Sequence, residues 1–130
     1  MGRSLLVETT FLIDLEREHR AAGSAVAFLE ANEDARLYVP FIVAGELAAG
    51  TPLSKRDRWE SFLAPLYVLP STPDVCWEYG RAYRYLKDNG RLIGSNDLWI
   101  AATALAYKMP VVTRNAEHFR RVPGLDVETY

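Results

Sequence analysis

The sequence predicts an α/β domain built on a mainly parallel sheet, and three features carry that prediction. Short apolar runs at residues 5–7, 37–39, 67–69 and 111–113, and an alternating one at 125–129, have strand length and include β-branched residues. Longer stretches with helical periodicity or helix caps lie between them. Strands that alternate with helices require crossover connections, and those bring successive strands side by side in parallel.

A chain of 130 residues with 49% hydrophobic content is expected to form one domain, residues 1–130, around a single core. No apolar run approaches the roughly 20 residues needed to cross a bilayer. Met1-Gly2-Arg3-Ser4 is too short to be the front of a signal peptide. No membrane association is expected. Cys76 is the only cysteine, which excludes an internal disulfide and makes the reducing cytoplasm the expected compartment. With 15 Lys plus Arg against 17 Asp plus Glu, the net charge of -2 denies the chain the global positive field of a general nucleic-acid binder. A polyanionic partner has to be met locally.

The opening strand, Leu5-Leu6-Val7, delivers Glu8 to the start of a helix expected from Phe11 to about Arg20. Gly23 breaks the chain, and Ser24 is the expected cap of a second helix through Glu30. Leu37-Tyr38-Val39 is closed by Pro40. Residues 41–49 have helical character and stop at Gly50-Thr51-Pro52. Ser54 is the expected cap of a helix with Trp59, Phe62, Leu63 and Leu66 at helical spacing, and Tyr67-Val68-Leu69 follows as an edge strand.

Thr72-Pro73-Asp74 is a strong helix start: a capping hydroxyl, a proline at the first helical position and an acid favoured by the helix dipole. The helix runs to Asn89 and ends at Gly90. Its apolar face is expected to hold Val75, Cys76, Tyr79, Ala82, Tyr83 and Leu86. Arg81, Arg84, Lys87 and Arg91 fall beside it in an arc of about 120°, either a solvated face or a stripe for phosphate or a partner. Ser95-Asn96-Asp97 opens an alanine-rich helix to Tyr107. Pro110-Val111-Val112-Thr113 then forms a strand whose exit turn begins Arg114-Asn115.

Ligands of open parallel sheets bind beyond the carboxyl ends of the strands. Glu8 lies at such an end, and Asp97, at a helix start, and Asn115, at a strand end, reach the same rim. Glu46 lies in the apolar helical run Val43-Ala44-Gly45-Glu46-Leu47-Ala48, where a carboxylate needs a partner. Carboxylates gathered at one rim repel each other and call for a cation. An all-oxygen set with no accompanying cysteine or histidine pair favours Mg²⁺ or Mn²⁺ over zinc. Such ions activate water and neutralise phosphate oxygens, and they bridge an acidic pocket to an RNA backbone. Each residue also has a plain structural reading: Glu46 as a snorkelling helix acid, Asp97 as a helix cap, Asn115 as a turn residue. No serine sits in a nucleophile elbow, and His19 and His118 have no metal-ligand spacing.

Four blocks resemble a known family: LLVETTFLIDL (residues 5–15), VAGELAAG (43–50), NDLWIAATALA (96–106) and VVTRNAEHF (111–119). In this order and spacing they are similar to PIN-domain ribonucleases, and within them to the short VapC-type toxins of toxin–antitoxin pairs. The resemblance implies a Rossmann-like three-layer α/β/α fold, a homodimer, Mg²⁺-dependent endonucleolytic cleavage of RNA and inhibition by a cognate antitoxin. It places the family's three acids on Glu8, Glu46 and Asp97, all three as metal ligands. Thr113 and Asn115 fall on the polar positions that complete the site. The chain departs from the pattern twice: Glu8 stands where the family has Asp, and His118 where it often has Asp. A Glu carboxylate reaches further by one methylene, on the order of 1.5 Å, so the expectation is retained metal binding with slower catalysis. A catalytically weak PIN-like module that binds RNA or protein is the alternative reading.

Overall fold

In the computed structural model, which describes residues 2–19 and 21–130, all five expected strands form one parallel sheet. They are β1 (Ser4–Val7), β2 (Arg36–Pro40), β3 (Tyr67–Leu69), β4 (Val111–Val112) and β5 (Val127–Glu128), in the order β3-β2-β1-β4-β5. β1 is central. Leu5 pairs with Leu37 of β2 and Leu6 with Val111 of β4, and Leu5, Leu6 and Val7 are fully buried. That burial on both faces explains an uninterrupted apolar triplet where a half-exposed strand would alternate. Thr113 lies just past β4, although its N–H still donates to Glu128 O at 3.0 Å.

The connecting helices are α1 (Thr9–Arg17), α2 (Ser24–Ala31), α3 (Phe41–Ala49), α4 (Arg56–Leu63), α5 (Pro73–Asp88), α6 (Ser95–Tyr107) and α7 (Ala116–Phe119). They cover the sheet as in a three-layer α/β/α domain. α1 starts earlier than expected and ends at Arg17; Arg20, the expected end, lies outside the described residues. Two expected caps are corrected. Ser24 is the first helical residue and Gly23 the cap. The Glu18 carboxylate accepts from the N–H groups of Gly23, Ala25 and Val26 and satisfies that helix start from the preceding segment. Ser54 spends its hydroxyl on Thr51 O, and α4 begins after Lys55 without a side-chain cap. Ser95 opens α6 as its first residue, behind Gly94.

Thr72 caps α5 as expected, accepting from Val75 N–H at 3.2 Å, and Gly90 leaves the helix at φ +63°. The apolar face of α5 is narrower than its periodicity implied. Val75, Ala82 and Leu86 are buried, while Cys76 and Tyr83 are exposed. Arg84 lies over the exposed Trp77 ring and Lys87 over Tyr83, and Arg81 pairs with Glu78. α5 packs on α6 through Tyr79 stacked on Trp99 at 4.0 Å. Trp59 is half-buried and donates to Ala44 O at 2.9 Å, tying α4 to α3. No described helix is long and apolar enough to cross a membrane.

Candidate active site

The strand order reverses between β1 and β4, and the crevice beyond the carboxyl ends of the strands at such a reversal is where open α/β sheets bind ligands. Glu8 leaves β1 there. Its backbone is extended, it caps α1, and its Oε1 accepts from Thr10 N–H at 3.0 Å and from the Thr10 hydroxyl. The residue is only 2% exposed. Burial pushes its carboxyl above the ordinary value, and the nearby charge of Asp97 pushes the same way, against hydrogen bonds from Thr10 and Thr113 that favour the carboxylate. A carboxyl whose folded-state value is raised contributes stability that is complete below its ordinary value of 4.5 and is lost as pH rises through the folded-state value. Glu8→Gln is therefore expected to melt a few degrees higher than the wild type at neutral pH without divalent ions. The difference should fade as pH falls below 4.5, as differential scanning calorimetry across pH would record.

Glu46 and Asp97 stand on helices that run back from the same rim. Glu46, the awkward acid of α3, is half-buried and has the partners its position demands: Thr9 Oγ1 donates to its Oε1 at 2.6 Å and Asn96 Nδ2 to its Oε2 at 3.2 Å. Thr9 follows Glu8 and Asn96 precedes Asp97, so Glu46 fastens together the segments that carry the other two acids. Asp97 lies in the first turn of α6, where the helix dipole favours a carboxylate. It is not the cap; Gly94 is.

Past β4, the fully buried Thr113 hydroxyl bonds to Glu8 and accepts from Asn115 N–H at 2.8 Å. Asn115 caps α7 and sets its Nδ2 3.0 Å from His118 Nδ1, which in turn lies 3.4 Å from Asp97 Oδ2. His118 thus faces the rim. Glu117 turns away and pairs with Arg121, whose hydrogen bond lowers its carboxyl. Arg114 bonds both oxygens of Asp14 at 2.9 and 3.0 Å, and Tyr130 donates to the same carboxylate at 2.6 Å. Arg114 N–H also donates to Thr10 Oγ1 at 3.1 Å.

Sequence reasoning singled out Glu8, Glu46, Asp97, Thr113 and Asn115, and missed the groups that hold them: Thr9, Thr10, Asn96 and Asp14. The threonine pair directly after a strand-end acid was the one available signal. Among the described residues, no three His, Cys, Asp or Glu side chains come together closely enough to enclose an ion. The donor chemistry nevertheless suits a hard divalent cation. Mg²⁺ keeps most of its waters and is held by one or two carboxylates together with substrate phosphate, and here Glu8 and Asp97 lie within each other's electrostatic reach.

Comparison with known proteins agrees with this architecture. The PIN domain family model matches residues 5–125. Ribonuclease VapC1 of Haemophilus influenzae (strain R2866) is 31% identical, with 92% of each chain covered. Ribonuclease VapC of Rickettsia bellii is 32% identical over 96% of this chain and 95% of its own. Among solved structures, VapBC2 from Rickettsia felis bound to a promoter DNA fragment aligns with a TM-score of 0.84 and 27% identity, covering 97% of this chain and 98% of that one. The chain belongs to the PIN-domain family, among its VapC ribonucleases.

Proposed function

We propose that the protein is a divalent-metal-dependent endoribonuclease, the toxin half of a toxin–antitoxin pair, acting on RNA in the cytoplasm. The observation that supports this best is the electrostatic proximity of Glu8 and Asp97 at the crevice between β1 and β4, with Glu46 fastened through Thr9 and Asn96 to the neighbours of both, in a chain of this family. Glu8, Glu46 and Asp97 are the residues proposed to hold Mg²⁺ or Mn²⁺, with Asn115 and Thr113 in support. When bound, the ion supplies an activated water and neutralises phosphate charge. The chain's own residues set the geometry: Thr10 and Thr113 hold Glu8, Thr9 and Asn96 hold Glu46, and His118, itself bonded to Asn115, borders Asp97. An apolar cleft lined by Ile13, Leu47 and Leu53 opens beside Glu46 and offers an antitoxin segment a seat next to the acids. The exposed Tyr67 and Val68 on edge strand β3 favour pairing with a second copy, and light scattering after size exclusion reads the homodimer directly.

The test is cleavage of defined RNAs by the purified chain with Mg²⁺, Mn²⁺ or EDTA, alongside Glu8→Asp. Asp is also a good helix cap, so the variant keeps α1 while shortening the reach. Because a misplacement of about 1 Å can cost on the order of a hundredfold in rate, Glu8→Asp is expected to raise cleavage by about ten- to a hundredfold. An unchanged rate would remove Glu8 as the limiting element. One observation favours a second reading: the Glu8 carboxylate is buried and already taken up by Thr10, as suits a catalytically weak RNA- or protein-binding module. RNA binding without cleavage, even in Glu8→Asp, selects that reading.

A further inference from the structure

His118 is placed to give the site a nitrogen donor. Asn115 Nδ2 is a donor only, so His118 Nδ1, 3.0 Å away, receives it with its lone pair and the ring carries its proton on Nε2. In that tautomer Nδ1 and Asp97 Oδ2, 3.4 Å apart, are two acceptors facing one gap. A protonated ring would make the same contact an ion pair, whereas in this tautomer a cation entering the gap joins the two acceptors. Two donor atoms bound to one ion at about 2.1 Å, with an angle of about 90–110°, lie about 3.0–3.4 Å apart; the observed spacing is at the upper end of that range. Both side chains are open to solvent, with 39% of the His118 and 28% of the Asp97 side chain exposed. The chain's other histidine, His19, is held at Glu16 O at 2.7 Å on α1.

We propose that His118 Nδ1 is a ligand of the divalent ion beside Asp97, displacing the Asn115 amide when the ion arrives. This inference rests on the metal-dependent reading above. It makes the site a mixed oxygen–nitrogen one, which selects Mn²⁺, or Co²⁺ in its place, over Mg²⁺, because imidazole suits transition metals and carboxylate with water suits Mg²⁺.

The experiment uses the tag-free full chain, stripped with chelator and titrated with Mn²⁺ and with Mg²⁺ by calorimetry, and with Mn²⁺ by electron paramagnetic resonance. Electron spin echo modulation of the Mn²⁺ form reads directly bound nitrogen. The expected result is nitrogen modulation in the wild type, lost in His118→Asp and His118→Gln, with the Mn²⁺-to-Mg²⁺ affinity ratio falling about tenfold or more in His118→Asp. Circular dichroism melting checks that both variants fold, and the wild-type spectrum needs no variant at all. A wild-type Mn²⁺ site without nitrogen modulation overturns the proposal and leaves metal dependence standing. So does modulation that persists in both variants. If the wild type binds neither ion, this proposal and the metal-dependent reading fall together.

Discussion

Asp97→Asn is expected to lower metal-dependent RNA cleavage by at least about a hundredfold while leaving the fold intact. Asn has nearly the same shape and remains acceptable in the first turn of α6, so local structure tolerates the exchange. What it removes is the formal charge at a position bordered by Glu8 and His118. Electrostatic groups aimed at a developing charge contribute on the order of a hundred- to a thousandfold each when deleted singly, and loss of a metal-holding carboxylate belongs at the upper end. The measurement is initial cleavage rate at saturating Mn²⁺, with calorimetry for ion affinity. Full activity in Asp97→Asn would rule out the proposed site.

Phe11→Ala is expected to have the largest effect on stability. Phe11 is fully buried at the start of α1, with its ring edge-on to Phe28 at 5.7 Å and to Tyr130 at 4.9 Å. Truncating a buried phenylalanine costs about 3–5 kcal/mol through lost transfer energy and the cavity left behind. For a chain of this size that is a fall of roughly 10–20 °C in melting temperature. The effect should also reach the site, because the same helix carries Thr9, Thr10 and Asp14. Thermal denaturation followed by circular dichroism gives the number, and a shift under about 3 °C would mean that α2 and the C-terminus close over the gap.

The sheet was legible because its signals are local. Leu5-Leu6-Val7 and Val111-Val112 are short apolar runs that only a buried parallel strand explains, and Thr72-Pro73-Asp74 states its helix start within three residues. The misread starts at Ser24 and Ser54 were settled by contacts that residue type does not disclose. Glu18 reaches Val26 across eight positions, and Ser54 prefers a carbonyl behind it. In the site, Glu46 could be recognised as an acid in need of partners, but the partners lie 37 and 50 residues away and share no pattern with it. His118 shows no metal-ligand spacing in the sequence because its relation to Asp97 arises only when the turn after β4 folds back on α6. Residue identity thus marked the acids, whereas the hydroxyls and amides that aim them are products of tertiary packing.

The central place of β1 has a consequence for the order of events during synthesis. β1 must be flanked by both β2 and β4, and its partner in β4, Val111 opposite Leu6, is made long after it. Closing that pairing carries the large loop-entropy cost of a distant contact and waits on translation. Thr113, Asn115 and His118 arrive with it. A chain that lacks β4 therefore holds Glu8 and Glu46 with no opposite wall, and the acidic crevice closes only once β4 has been made.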